Sequence, residues 1–341
     1  MKHRCLVSAG AAIVFVAAWP TAVPLAGQGA PAAGASAGRA YTVPRTPDGQ
    51  PDLQGFWTNS TYTPLERPDK VTKEFYTPQE ALEAEKQAAA RESEQTAPGT
   101  VADVHYDFSQ FALDRSQAPL ARSLRTSLIV DPPNGKLPAL TPLGQKRAAE
   151  REEVSKRIGR WDSAESNQLD DRCIIMRGPG PPMMDAGYNS NYQIVQAPGY
   201  VMILTEMIHD VRIIPLDGRP QPHGNVRQWM GVSRGRWEGD TLVVETTNFN
   251  GKNPFVGSSE QMRVTERLTR VSNDAIRYQF TIEDPGTWVR PWSAEAPMMK
   301  TEGPIFEHAC HEGNYGLYNT LVGARLEEKK AAEGAAKKGS K

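Results

Sequence analysis

The chain has 341 residues, with 39 Lys plus Arg, 40 Asp plus Glu and a formal net charge of −1. So even a balance argues against nucleic acid, or a strongly anionic surface, as the partner. The length suits one large domain or two small ones.

Residues 1–26 carry the pattern of an export signal. Lys2, His3 and Arg4 form a basic start, and the apolar run Leu6 to Trp19 is short for a spanning helix. Pro20, Pro24 and the small residues near Ala26 suit cleavage. No later run approaches spanning length, so an exported chain, periplasmic or extracellular in a bacterium, is expected. Cys5 precedes the apolar run and leaves with it. That leaves Cys173 and Cys310, which an oxidising compartment would join as one disulfide. Residues 27–44, rich in Gly, Ala and Pro, read as a flexible leader.

Residues 45–187 read as an irregular N-terminal wrap with two surface helices. The turn cluster from Thr46 runs into a first strand at Gly55-Phe56-Trp57. Thr77-Pro78-Gln79-Glu80 supplies an N-cap, a first-turn proline and a capping-box Glu, predicting a helix near 78–95. Thr141-Pro142 opens another near 142–158. Both are heavily charged with few apolar positions, so they belong on a surface. Arg125 to Val130 reads as a short strand stopped by Asp131-Pro132-Pro133-Asn134-Gly135.

From residue 188 to 322 the texture changes to strands at short spacing. They are Tyr192–Ala197, Tyr200–Pro215, Trp229–Arg234, Thr241–Thr247, Met262–Val271, Ala275–Glu283 and Thr287–Trp292. Pro198-Gly199, Asp217-Gly218, Glu238-Gly239-Asp240 and Ser272-Asn273-Asp274 mark turns between several of them. The expected fold is therefore mainly β, an antiparallel meander closed or nearly closed as a barrel; a two-sheet sandwich is the runner-up. The Lys/Ala/Glu/Gly-rich residues 323–341 read as a disordered tail.

Candidate chemistry concentrates in this half. Read with period 2, Tyr200 to Ile214 has an apolar parity interrupted by His209. The other parity brings Glu206, Asp210 and Arg212 to one end. His209 with Glu206 or Asp210 is a candidate acid–base group. In Met262 to Val271, Glu266 shares a face with Met262, Val264 and Leu268. An inward carboxylate must meet an Arg or His, or keep its proton. His308 and His311 flank Cys310; no standard zinc spacing is present, so no metal or other cofactor is expected, and His311 joins the candidate acids. Trp288, Arg290 and Trp292 alternate as a ligand-stacking face. Asn191 and Tyr192 are further candidate ligand contacts beside the stiff Arg177–Pro182 loop, and Arg212 is a candidate contact at the end of the Tyr200 stretch.

The blocks PDLQGFW, SLIVDPPNGKLPALTP, EMIHDVRIIPLDGRP, SRGRWEGDTLVVETTNF and ACHEGNY resemble a large group of secreted bacterial proteins of unassigned activity. That resemblance covers nearly all the chain after the signal and implies secretion but no reaction. Gly55-x-Trp57 with the meander is also similar to lipocalin-like barrels, whose Trp plugs the barrel floor.

Two functions follow as expectations. One is an enzyme, a hydrolase, isomerase or lyase, acting by acid–base chemistry on a small, partly apolar or glycosidic molecule. There Glu266 or His311 opposes His209, and Arg212 or Arg290 holds developing negative charge. The other is a non-catalytic binding protein for a lipophilic or glycosidic ligand in the same cavity. A structural envelope protein with a packed interior is the third reading.

Overall fold

The computed structural model describes residues 41–92, 120–159, 161–176, 178 and 180–339. The signal expected at 1–26, and most of the leader expected at 27–44, lie outside the described residues. Ten strands form a single antiparallel sheet: β1 Gly55–Thr58, β2 Ile129–Asp131, β3 Asn191–Ala197, β4 Tyr200–Thr205, β5 Val211–Pro215, β6 Val232–Glu238, β7 Thr241–Thr247, β8 Arg263–Arg270, β9 Ala275–Glu283 and β10 Trp292–Thr301. Their order is β5-β4-β3-β1-β10-β9-β8-β7-β6, with β2 beside β10.

The sheet curls until its ends almost meet. No ladder joins β5 to β6, but Arg212 of β5 reaches Ser233 of β6 and Thr246 of β7. Gly235 on β6 has no side chain where one would collide: a Cβ there would lie 2.7 Å from Leu216 Cδ2 and 2.8 Å from Ile214 Cγ2. The molecule is thus mainly β and a nearly closed barrel.

Alternation puts one parity of each strand inside. Ile194, Ile203, Ile214, Leu242, Val244, Val264, Leu268, Ile276, Phe280 and Met298 are all buried in one core with Trp57 and Trp292. The registers place the β3–β4, β6–β7 and β8–β9 hairpins at one end of the barrel. There Trp57 is fully buried, its indole N–H donates to Leu53 O, and the Arg270 guanidinium lies 5.6 Å from its ring centroid. The opposite end, the mouth, receives the turn after β4 and the long connections before β3, β8 and β10.

The wrap is not separate from the barrel. β1 pairs with β3 on one side and β10 on the other, so strand-forming residues from before 188 close the sheet. The barrel therefore extends beyond the expected 188–322. α1 (Pro78–Glu92) and α2 (Pro142–Arg157) occupy the expected positions. In α1 the capping box forms: Glu80 N donates to Thr77 Oγ1 at 3.3 Å, and Thr77 N to Glu80 Oε2 at 2.8 Å. In α2, Gly144 N donates to Thr141 Oγ1 at 3.0 Å. Gly144 also lets the helix approach the β9–β10 loop, since a Cβ there would lie 2.5 Å from Thr287 O.

Three expectations change. Tyr200–Pro215 is a hairpin, not one strand: β4 ends at Thr205, and Ile208 and His209 turn the chain with φ of 56° and 44°. The last predicted strand, Thr287–Trp292, is instead mostly turn, and β10 begins at Trp292. That strand was not predicted, and it contains Pro297, which nevertheless fits. Glu295 N donates outward to Leu128 O beside β2, and two residues on Pro297 faces the same side, in the interval before β1 pairing begins at Met299. Finally, 323–341 is not disordered over its described part: α3 runs Tyr315–Gly339. Its Ala, Leu, Glu and Lys are strong helix formers, and Arg325–Glu328 and Lys330–Glu327 pairs brace it.

Candidate functional site

The hairpin after Tyr200 decides where every charged residue of that stretch goes. β4 turns Val201, Ile203 and Thr205 inward. The five-residue connection inverts the parity, so β5 turns Arg212 and Ile214 inward and leaves Val211 and Ile213 exposed. Arg212 therefore enters the barrel, and His209 stays out of it.

Inside, Arg212 meets Glu266 of β8. Nη1 donates to Oε1 at 3.0 Å and Nη2 to Oε2, with the two side chains 3% and 1% exposed. Arg212 Nη2 also reaches Ser233 and Thr246. Burial opposes the guanidinium charge, but the Glu266 carboxylate beside it and its hydrogen bonds more than compensate, and the net shift of Arg212 is upward. Tyr278 of β9 donates its hydroxyl to Glu266 Oε1 at 2.8 Å. Burial and then the carboxylate charge push the Tyr278 phenol well up, so it stays a neutral donor.

This network continues outward through backbone. Met183 N donates to Tyr278 Oη at 2.8 Å, Asn59 Nδ2 to Met183 O at 3.1 Å, and Tyr192 Oη to Met184 O at 3.2 Å. Burial raises the Tyr192 phenol as well. The Gly/Pro-rich loop through Met183 is thus bolted to the barrel interior at three points.

On the outer side of the same loop lies a cleft of about 300 Å3. Met176, Pro181, Pro182 and Met184 come from the loop, and Trp229, Phe249 and Phe255 from the mouth connections. Asn248, at φ 59°, orders those connections by donating to the carbonyls of Pro222, His223 and Val226. Phe255 stacks on Trp292 at 6.2 Å and 19°. Asp185 is the acidic residue lining the cleft, and it is held by Gly187 N, Ser190 Oγ and Thr61 N. A larger groove of about 730 Å3 lies between α1 and Thr61–Pro68; Arg91 and Leu120, which flank the undescribed 93–119, line it.

The predicted site residues separate into several places. Arg212 and Glu266 meet, one of the outcomes that the inward-carboxylate argument allowed. Glu206 is buried away from them and accepts from Asn191 Nδ2 at 2.7 Å. Tyr192 holds the loop. His209 is exposed on its turn, with Nδ1 3.1 Å from His308 O, and Asp210 beside it is partly buried. Burial raises the Asp210 carboxyl, opposed by His209. His311 is exposed.

The expected Trp288–Arg290–Trp292 face does not form. Both indoles are in the core, edge to face at 5.6 Å, while Arg290 is exposed and pairs with Asp131. The turn at 287–291 breaks the alternation that the strand reading assumed.

Cys173 and Cys310 are joined, across 137 residues of sequence. The link holds the segment around His308 against Asp170–Ile174, and Asn314 Nδ2 adds a bond to Asp171 O at 3.0 Å. Among the described residues, no group of three or more His, Cys, Asp or Glu is placed to hold a metal ion. No described helix is long and apolar enough to cross a membrane.

Sequence reasoning missed Tyr278, Asn59, Met183 and Asp185. Tyr278 had a signal: in AIRYQFTIE it shares the parity of Ile276, Phe280 and Ile282, so its hydroxyl had to enter the barrel. Asn59 and Asp185 sit in irregular segments where no period applies. Comparison with family models, with curated proteins and with solved structures gives no match for this chain.

Proposed function

We propose that this is an exported binding protein for a small, partly apolar molecule, held in the mouth cleft. The observation that carries the reading is the combination of apolar cleft walls with a loop fixed from behind by Tyr278, Asn59 and Tyr192. A wall that is already rigid loses little entropy when a ligand binds. Export accords with the disulfide and with the basic-then-apolar start of the chain.

The acid–base enzyme reading draws less support. Glu266 is committed to Arg212 and Tyr278 without access to solvent, whereas His209 and His311 lie exposed. One observation favours it: the raised Asp210 carboxyl next to His209 on the mouth turn.

The test is titration with N-phenyl-1-naphthylamine, a neutral probe that brightens in apolar sites. Saturable binding to the wild type and at least tenfold weaker binding to Asn253→Trp, which fills the cleft, are expected. Equal binding by both proteins rejects the cleft. Loss of binding in His209→Ala moves the site to the His209 turn.

A further inference from the structure

We infer that α3 is the contact of a symmetric dimer: a second copy of this chain lays its own α3, antiparallel, along the exposed seam of Tyr315, Tyr318, Val322, Leu326 and Lys329. This contact is independent of the cleft.

The helix has two unlike faces. Leu317, Leu321 and Ala324 are half-buried, and Arg325 donates to Asp162 O at 2.8 Å and to Trp161 O at 2.9 Å. These contacts tie the first half of α3 to the body of the protein. On the other face Tyr315 is 72% exposed, Tyr318 67%, Val322 39% and Leu326 54%. Every residue from 326 to 336 is exposed, so the second half of α3 stands clear of the described residues around it. Helices in water draw most of their stability from packing an apolar face, and this one is left open.

The seam matches itself. Its spacings are 3, 4, 4 and 3, the rhythm of a two-helix seam, and they read the same in both directions from Val322. An isologous two-fold contact requires that self-complementarity. With the copies antiparallel, Val322 meets Val322, Tyr318 meets Leu326, and the Lys329 ammonium lies over the Tyr315 ring of the second copy. Glu312, exposed just before α3, comes toward the end that carries Lys329 and Lys330. A parallel pair would instead set Lys329 against Lys329.

The area fits a weak dimer. The two tyrosine rings, Val322, Leu326 and the Lys329 stem present on the order of 500 Å2 per copy, so a pair buries about 1,000 Å2, the lower bound for a specific interface.

Sedimentation velocity of the full chain, from about 2 to 200 μM, tests this. The sedimentation coefficient is expected to climb from a monomer value toward a dimer value across the range. Val322→Glu sets two carboxylates against each other at the two-fold axis. With an unchanged circular dichroism spectrum, it should raise the midpoint by about tenfold or more. Tyr315→Lys should act likewise by facing Lys329, and Tyr315→Lys with Lys329→Glu should return the midpoint toward wild type. A wild type that stays monomeric, or a Val322→Glu protein that associates like wild type, overturns the dimer. Failure of Lys329→Glu to rescue Tyr315→Lys overturns the antiparallel register. A monomeric wild type that floats with phosphatidylglycerol vesicles, where Val322→Glu does not, gives the face to a lipid surface and overturns the dimer too.

Discussion

Replacing Glu266 by Gln removes the charge that neutralises Arg212 while keeping the shape. Both side chains are almost wholly shielded, and a guanidinium cannot shed its proton at any ordinary pH, so Arg212 would stay buried, charged and unpaired. Breaking such a pair costs roughly 3–5 kcal/mol. At about 1.6 °C per kcal/mol for a chain of roughly 300 folded residues, Tm should fall by about 5–8 °C. Thermal and urea unfolding followed by far-ultraviolet circular dichroism reads this directly. The double variant Arg212→Met with Glu266→Gln removes the stranded charge as well. It should be more stable than Glu266→Gln alone, with a coupling above about 1 kcal/mol. A Glu266→Gln protein within about 1 kcal/mol of wild type would refute the reasoning, because it would mean that solvent reaches the pair.

The other predictions concern the loop, the mouth turn and the disulfide. Tyr278→Phe leaves Met183 N–H without its acceptor and should cost about 1–3 kcal/mol, with faster hydrogen exchange at the Met183 amide. Unchanged exchange there would show that the loop is held by something else. Asp210 ionises less readily folded than unfolded, so its contribution is fully present below the ordinary carboxylate range and is lost as pH rises through the raised value. Asp210→Asn should therefore stabilise the protein at pH 7, by under about 2 °C because the site is partly exposed, and do nothing at pH 3. A gain at pH 3 that vanishes at pH 7 reverses the sign and contradicts the burial argument. Replacing Cys173 and Cys310 by Ser opens a 137-residue link and should cost roughly 2–4 kcal/mol in urea unfolding. An unchanged midpoint would mean that the segment around His308 is held without it.

The regular strands were legible because alternation is a local property. Thr241–Thr247 and Ala275–Glu283 carry their inward parity in the sequence itself, and Glu266 standing among aliphatics called for either a basic partner or a retained proton. Its partner was not legible. Arg212 faces inward only because Ile208 and His209 turn the chain, and β-branched Ile208 at positive φ is a conformation that propensity argues against. With the turn unseen, His209 took the inward place that belongs to Arg212. Trp288, Arg290 and Trp292 misled for the same reason, since period-2 spacing has no meaning across a turn. β10 was not predicted, and Pro297 within it is tolerated only because of a gap between two partner strands far away in sequence. The cleft gathers Met176, Pro181, Pro182 and Met184 with Trp229, Phe249 and Phe255, and only the three-dimensional arrangement of the mouth connections places them together.

The proposed binding of a small, partly apolar molecule at the mouth, outside the loop that closes the barrel, can be tested most directly by locating the bound surface. Photolabelling with a phenyl diazirine, followed by peptide mass spectrometry, locates the occupied surface. Labels should fall on Pro181, Pro182, Met184, Phe249 and Phe255 and be suppressed by excess N-phenyl-1-naphthylamine. Labels confined to the groove between α1 and Thr61–Pro68, or untouched by the competitor, would contradict it.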